Sequence, residues 1–478
     1  MSIFNRNYFQ TKEQTKIGVN GVDYIVSDSK ETDLKEASIE RKFERANLVK
    51  ANLKEAKLKE ANLKEADLRE ADLERANLER ANLEKANLEK ANLAWANLEK
   101  AHLTWANLVG ANLKEANLVG ANLLKANLEK ANLESTNLEG AYLLKANLRE
   151  ADLEKASLKK AHLVWANLEK ANLESINLEN ANLENAQLEW AKLEKAHLER
   201  AKLKGANLEG ANLREANLEW ADLEWANLKK ANLGGANLTN ANLERANFEW
   251  ANLEGANLKK ANLAWANLRV TDLKRANFEG ADLKRANLEW ANLEWANLVK
   301  ANLEGARLES AHLIGTYLKG ANLEGANLVK ANLEKADLEG ADLKRVDLIG
   351  ANLEGANLKE ANLGRANLEG ANLIEIRFEG ANLIGAGLKR VDLKGAHLRG
   401  THLEGADLEG ADLEGADLTE AKLEGASGLS VDQLSKVKTL HNAKLDEELF
   451  LLLNKKYPSL FEVPDQSALK DQERQQPF

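Results

Sequence analysis

Histidine is the residue type in this sequence with the greatest capacity to bind a metal or transfer a proton near neutral pH. Six of the seven histidines occupy the same place in a repeating five-residue pattern: His102, His162, His197, His312, His397 and His402. A zinc site needs three or four nitrogen, sulfur or oxygen ligands around one ion, and the chain contains no cysteine. We therefore interpret these histidines as solvated replacements of the usual asparagine, and we predict no metal site and no cofactor.

Carboxylates are abundant, but their arrangement does not favour catalysis. Glutamate commonly stands beside lysine or arginine, which offers no low-dielectric cleft in which a carboxyl pKa would shift. The chain has neither a Gly-x-Ser-x-Gly elbow nor a phosphate-binding loop. Without cysteine it also lacks disulfides and thiolate chemistry. The sequence predicts a protein that is not an enzyme.

Tryptophan is the residue type that points to partner binding. All ten tryptophans share a second place in the pattern: Trp95, Trp105, Trp165, Trp190, Trp220, Trp225, Trp250, Trp265, Trp290 and Trp295. Exposed indole rings form cation–π contacts with arginine and lysine, and they are enriched in protein interfaces. Whether these rings can act together depends on the elements that carry them.

The pattern that carries these residues runs in one register from Ala46 to Gly425. Its 76 pentads have leucine at a central position, called i, which is replaced only by Phe248, Phe278 and Phe378. Alanine usually stands at i−2 and asparagine or aspartate at i−1. The six histidines lie at i−1 and the ten tryptophans at i+2.

The five-residue period excludes a long α-helix, although the composition favours one. Five residues turn an α-helix by roughly 500°, so successive leucines would not form a stripe. In an extended segment, residues i−2 and i point to one side and i−1 to the other. Residues i+1 and i+2 can then form a turn. The pentads predict a solenoid with Ala and Leu inside, in which spacing alone allows three, four or five pentads per coil.

The A(N/D)Lxx pentads of residues 46–425 resemble the pentapeptide repeat family. The resemblance implies an all-β solenoid, a right-handed quadrilateral parallel β-helix of about 19 coils with four pentads in each. On this geometry, the nearest histidines of one column, His102 and His162, lie three coils or roughly 14 Å apart. That separation is too large for a shared metal ion.

Residues 20 apart would form outward columns on such a β-helix, and two neighbouring columns suggest a partner-binding face. An apolar strip exposed on a surface often marks an interaction site. The predicted face consists of Trp105, Leu124, Leu144, Val164, Trp165, Trp225, Arg245, Trp265 and Arg285. Two alternatives stay open. The tryptophans could be by-products of repeat duplication, or the face could bind nucleic acid, which the net charge of −10 disfavours.

The two ends depart from the pentads. Residues 1–30 are predicted to form an N-terminal cap, with a hairpin from Ile17 to Val26 that turns at Asn20-Gly21. The β-helix is assigned to residues 31–425, with an irregular first coil at Leu34 and Ile39.

Residues 426–463 are predicted to form a helical C-terminal cap. A first short helix opens at Ser430 with the capping-box spacing to Gln433 and continues through Val437. A second helix is expected from about Asp446 to Lys456, with Leu449, Phe450, Leu452 and Leu453 available for packing. Residues 464–478 have the composition of a disordered tail.

Three functional hypotheses follow. The leading one is a non-catalytic scaffold that binds an unidentified protein through a flat face and does not bind nucleic acid directly. The family resemblance implies a second, a DNA-mimicking inhibitor or protector of a topoisomerase such as DNA gyrase, with dimerisation through C-terminal helices. This chain is longer than such proteins and interleaves lysine and arginine with its glutamates. A third is a secreted or membrane-associated effector. Since no apolar run could cross a bilayer, we expect a cytoplasmic protein.

Overall fold

A computed structural model describes residues 15–19, 22–26 and 43–463. It divides into two compact units, residues 1–227 and 228–478. The pentads of both units have the same local structure. Isolated parallel bridges join i−1 residues that are 20 apart, such as Asn47 with Asp67 in the first unit and Asn232 with Asn252 in the second. Four pentads therefore make one coil, as the resemblance implied.

Backbone hydrogen bonds join each coil to both of its neighbours. The amide of Leu88 donates to the carbonyl of Asn107 on the following coil at 2.7 Å. The amide of Asn87 donates to the carbonyl of Ala66 on the preceding coil at 2.9 Å. The i+2 amide also donates to the following coil, so three of the five amides of each pentad bond between coils.

The other two amides of each pentad are satisfied at the corner. The Ala91 amide donates to the Leu88 carbonyl at 3.0 Å, which closes a four-residue turn. Lys90, at the third place of that turn, has φ 56°, and this positive angle is typical of a type II turn. The Glu89 amide donates to Oδ1 of Asn87 at 3.2 Å. Asparagine and aspartate therefore recur at i−1 because they accept the one amide that the backbone leaves unpaired.

The interior of both units is aliphatic. The inward alanines and leucines of residues 46–425 are at most 3% exposed, and Phe248, Phe278 and Phe378 are fully buried. Threonine replaces the inward alanine at four places, and each hydroxyl donates to a carbonyl of the preceding coil, as from Thr136 to Leu113 at 2.8 Å. Isoleucine also fits inside, but the turn bond from Ile176 to Leu173 lengthens to 3.3 Å.

The first unit includes the predicted hairpin strands. β1 spans Thr15–Val19 and β2 spans Val22–Val26, and the two pair antiparallel. The turn residues Asn20 and Gly21, and the irregular first coil at Leu34 and Ile39, lie outside the described residues. The capping role of residues 1–30 stays a prediction.

The second unit ends in three short helices. α1 spans Val431–Leu434, α2 spans Glu447–Lys456, and a 3-10 helix spans Pro458–Phe461. α1 begins after Ser430, whose Oγ accepts the Gln433 amide at 3.2 Å, but it ends before Val437. The predicted capping box is incomplete, because Oε1 of Gln433 accepts the Ser430 hydroxyl at 2.9 Å and not the Ser430 backbone amide. The Gln433 amide group donates to the carbonyls of Leu408 and Ala411.

The segment around these helices pairs with the last coils in an altered register. Asp417 bridges to Thr439 and Lys422 to Lys444, so each partner lies farther along the chain than a regular coil would place it. On α2, only Leu453 is fully buried. Of the other residues expected to be available for packing, Phe450 and Leu452 are exposed. Phe450 makes an edge contact with Phe461, with ring centroids 5.2 Å apart. The segment's role as a cap and the nature of residues 464–478, which are outside the described residues, stay predictions.

Candidate partner-binding face

The i+2 corner positions determine where the tryptophans lie. Each tryptophan has a positive φ and is 45–56% exposed, because the side chain at this place of the turn points away from the aliphatic interior. Glycine occupies the same place in many pentads, for example Gly110 with φ 62°. The fold therefore does not require a large residue at this position.

The first unit brings five of the predicted face residues together. The Trp105 amide bonds to the Leu124 carbonyl at 3.0 Å, and the corresponding corner amides of the following coils bond to the carbonyls of Leu144 and Val164 at the same distance. Trp105, Leu124, Leu144, Val164 and Trp165 thus lie on one side of four consecutive coils. Trp105 and Trp165 stand at its two ends.

Four residues outside the predicted face complete this surface: Lys125, Tyr142, Lys145 and His162. Tyr142 and His162 stack on adjacent coils, with ring centroids 4.9 Å apart and planes 4° from parallel. Lys125 places Nζ 4.3 Å from the centroid of the Trp105 ring. The 105–165 face is the surface formed by Trp105, Leu124, Lys125, Tyr142, Leu144, Lys145, His162, Val164 and Trp165. Aligning the sequence coil by coil would have found Tyr142, which was missed because it replaces an asparagine.

The remaining predicted residues fall in both units. Trp225 lies in the first unit, in the column of Trp165. Arg245, Trp265 and Arg285 lie in the second unit, in one column of consecutive coils, and the Arg285 guanidinium carbon is 4.8 Å from the Trp265 ring centroid. This distance is that of a cation–π contact.

A second aromatic strip in the second unit was missed. Trp250, Val270 and Trp290 occupy i+2 on three consecutive coils, as shown by bonds such as Val270 N–H to the Glu289 carbonyl at 2.9 Å. A shallow recess of about 280 Å³ lies beside Trp290 and His312. The three residues of the strip are 20 apart in the sequence and so form one column. The same 20-residue spacing was the basis for predicting the first face.

Two tryptophans lie flat against glycines of the next coil. A Cβ atom added to Gly210 would stand 2.5 Å from the Trp190 ring, and one added to Gly315 would stand 2.5 Å from the Trp295 ring. Glycine at these two corners makes room for an indole, a role that the sequence pattern did not predict.

Ion pairs between coils neutralise much of the exterior. Lys159 Nζ lies 2.8 Å from a Glu179 oxygen one coil away, and Lys59 pairs with Glu79 at 2.9 Å. The hydrogen bond raises the pKa of Lys159 and lowers the pKa of Glu179. The same contact from Lys59 lowers the pKa of Glu79. Because these side chains are exposed, their pKa shifts result from the ion pairs and not from burial.

The described residues contain no group of three or more histidines, cysteines, aspartates or glutamates that could hold a metal ion. His162 stacks on Tyr142, and the Nε2 atom of His402 lies 3.1 Å from Nζ of Lys422. Nor does any helix in the described part of the chain have the length and apolarity needed to cross a membrane.

Comparison with known proteins agrees with this geometry. The family model described as pentapeptide repeats matches overlapping segments that extend from residue 42 to 425, including 42–75, 181–219 and 386–425. The chain belongs to the pentapeptide repeat family. Proteins of this family form right-handed quadrilateral β-helices and are generally structural or binding proteins without enzymatic activity.

Several solved pentapeptide repeat structures are similar to this chain. HetL from Nostoc sp. strain PCC 7120, a protein involved in heterocyst differentiation regulation, is 35% identical over 45% of this chain and 89% of its own, with a TM-score of 0.18. Rfr23 from Cyanothece 51142 is 40% identical over 20% of this chain and 62% of its own, with a TM-score of 0.18.

QnrB1, a plasmid-mediated fluoroquinolone resistance protein, is 20% identical over 40% of this chain and 95% of its own, with a TM-score of 0.26. This likeness concerns the fold alone. No curated protein matches the chain.

Proposed function

We propose that this pentapeptide repeat protein is a non-catalytic scaffold that binds another protein through the 105–165 face. The observation that carries the proposal is a cluster of exposed aromatic and partly exposed aliphatic side chains at outward positions where the fold needs none of them. Trp105, Tyr142 and Trp165 are each more than half exposed. Aromatic residues of this kind supply much of the binding energy at protein interfaces.

The absence of a cleft supports a binding role over catalysis. Alanine and leucine fill the interior, and the recesses identified on the described residues are shallow and open, such as the one of about 240 Å³ beside Arg200 and Trp220. Catalytic sites usually need a concave pocket with converging polar groups. A flat outer surface is better suited to a macromolecular partner.

The DNA-mimic hypothesis finds less support. Mimicry of a duplex needs a continuous array of negative charge, whereas many glutamates here are paired with lysine or arginine on a neighbouring coil. Pairs such as Lys259 with Glu279 and Lys319 with Glu339, at 2.9 and 3.0 Å, continue this pattern in the second unit.

Site-specific photocrosslinking tests the scaffold function. A photoreactive phenylalanine analogue replaces Leu144 on the 105–165 face, and the control carries it at Ile384, which also lies at i+1 and is similarly exposed. We expect a discrete adduct with a protein from the source cell at position 144 and none at 384. The captured protein, once purified, should bind the unmodified chain. Identical adduct patterns at the two positions would reject the proposal.

We also propose that α2 mediates self-association. Leu451 and Leu452 are 59% and 51% exposed, and Phe450 is 37% exposed on the same helix. Phe450 contacts Phe461, but Leu451 and Leu452 are more than half exposed, and adjacent exposed apolar residues favour a second apolar surface. The double substitution Leu451→Glu with Leu452→Glu should convert a dimer to a monomer in light scattering, while Lys455→Glu should not. A wild-type monomer at about 100 µM would contradict this proposal.

A further inference from the structure

The 105–165 face lies in a region of the surface that lacks carboxylates. Its four coils present residues 100–105, 120–125, 140–145 and 160–165, and none of these is aspartate or glutamate, although the chain has 76 acidic residues. The region is bounded by Glu84 and Glu184 in the same column. On the other sides of the described coils, no more than two consecutive coils lack a carboxylate.

The lysines along one edge of this region make no ion pair within the described part of the chain, whereas the lysines along the opposite edge do. Lys100 and Lys160, on the opposite edge, pair with Glu99 and Glu139 at 2.9 and 3.8 Å. Lys125 and Lys145 make no ion pair with any described residue, and both are exposed. They lie on adjacent coils between Trp105 and Trp165.

An apolar strip runs parallel to this lysine edge. Leu124, Leu144 and Val164 repeat once per coil, at a spacing of about 4.8 Å. The pitch of an α-helix is about 5.4 Å, so a helix laid along the strip would place one apolar side chain on each coil and accumulate a mismatch of only about 1.2 Å over its two intervals. An extended strand repeats its facing residues at about 6.8 Å and would lose register after one or two coils.

We infer that the 105–165 face binds an amphipathic α-helix whose apolar stripe is bordered by carboxylates. The stripe would pack on Leu124, Leu144 and Val164, and carboxylates three or four residues apart, at about 5–6 Å, would meet Lys125 and Lys145. Trp105 and Trp165 would close the two ends of a contact of three to four helical turns. This inference rests on the proposed scaffold function and specifies the chemistry of its partner.

Single-stranded nucleic acid is the competing ligand, since it also uses lysines and stacking rings. The central aliphatic strip distinguishes the two, because leucine and valine pack on an apolar stripe and offer nothing to a phosphate. Two unpaired lysines are also few for a phosphate backbone.

The test uses the full-length chain and fluorescein-labelled peptides long enough to form about four helical turns. The first peptide has leucines at helical spacing bordered by glutamates. Three variant peptides serve for comparison. In one the glutamates are replaced by glutamine, in the second they are replaced by lysine, and the third carries a central proline. A labelled oligothymidylate serves as the nucleic-acid probe. Binding is followed by fluorescence anisotropy at low and high salt.

We expect the glutamate peptide to bind at least tenfold more tightly than the glutamine or proline peptides, and more weakly at high salt. The variant Lys125→Glu with Lys145→Glu should lose at least tenfold in affinity for the glutamate peptide and gain affinity for the lysine peptide. The control is Lys300→Glu with Lys330→Glu, at two i+2 lysines for which the structure gives no ion pair. It should retain wild-type affinities within about twofold. Circular dichroism verifies that both variants fold.

Equal binding of the glutamate and glutamine peptides, or equal effects of the two lysine pairs, would overturn the inference. Tighter binding of oligothymidylate that is lost in Lys125→Glu with Lys145→Glu would reassign the face to nucleic acid. A partner crosslinked at position 144 that lacks such a helix would also overturn this inference, and it would leave the scaffold function intact.

Discussion

At the scale of single residues, the i−1 asparagine has two separate roles. Its Oδ1 accepts the i+1 amide of its own pentad, and in many pentads its Nδ2 donates to the asparagine one coil earlier, as from Asn112 to Asn92 at 3.0 Å. The first role completes the backbone hydrogen bonding of the corner. The second adds a side-chain ladder on the outside of the coils.

Asn112 separates these two roles. Asn112→Ala removes the acceptor of the Lys114 amide, which is 3.3 Å from Oδ1, and should destabilise this region by about 1 kcal/mol. Asn112→Asp keeps the acceptor and should retain most of the protection. Hydrogen exchange at the Lys114 amide is the measurement, because repeat proteins open locally. Unchanged exchange in Asn112→Ala would contradict this role of the side chain.

Gly210 provides a second test at this scale. Gly210→Ala places a methyl group 2.5 Å from the Trp190 ring on a residue with φ 67°. The left-handed backbone alone costs an alanine roughly 1 kcal/mol. Because the clash with the ring adds to this strain, the melting temperature should fall by more than the strain alone would cause. Gly140→Ala is the control, since Gly140 has φ 63° and open space around it. With Trp190→Ala in the background, the two glycine substitutions should have equal effects. A persisting difference would show that the indole is not responsible.

At the scale of the coil side, the ion pairs between adjacent coils predict how stability depends on pH. Lysine donors lower the pKa of Glu79, Glu279 and Glu339 below the ordinary glutamate value of 4.5. A lowered folded-state pKa stabilises the fold above the unfolded value, and this contribution is lost as pH falls through the folded value.

Thermal melts followed by circular dichroism should therefore show little change between about pH 6 and 8 and a decline that begins near pH 4.5. Lys319, whose pKa is raised above its ordinary 10.5 by Glu339, would lose its contribution only in strongly alkaline solution. Added salt should reduce the acid dependence, because the pairs are exposed. A melting temperature that rises on acidification would contradict this account.

How far the sequence predicted this level of structure depends on whether a residue points inward or outward. The inward places were predictable from Leu48 to Leu423, because only aliphatic packing satisfies them. The number of pentads per coil came from the family resemblance, since five-residue spacing is compatible with several polygons. The Tyr142–His162 stack and the contact of Trp190 with Gly210 were not predicted. Packing does not constrain the outward positions, and their partners lie a whole coil away in the sequence.

At the scale of the whole molecule, charge distinguishes the scaffold from the DNA mimic. The chain has 66 lysines and arginines against 76 aspartates and glutamates, and many lysines pair with a glutamate of the next coil, as Lys159 does with Glu179. Pairing of this kind weakens the negative field that a DNA-binding partner would meet. The predicted face, by contrast, lacks carboxylates on four coils.

We accordingly expect that the purified chain does not inhibit supercoiling by DNA gyrase at about 10 µM, a concentration well above the dissociation constants of typical specific complexes. Relaxed plasmid with gyrase and ATP provides the assay, and bovine serum albumin at equal mass provides the matched protein control. Inhibition by this chain but not by albumin would favour the mimic and count against the scaffold.

The four-pentad register also determines which insertions and deletions this architecture can tolerate in evolution. Loss of one complete coil of 20 residues between Leu124 and Leu144 would keep every later residue in its original column. The columns that form the surface would therefore stay aligned. Loss of a single pentad, such as residues 126–130, would preserve every local turn yet rotate all later residues of that unit by a quarter turn. Leu144 would then face a different direction from Leu124. Natural length variation that preserves a binding surface should therefore occur in whole multiples of four pentads.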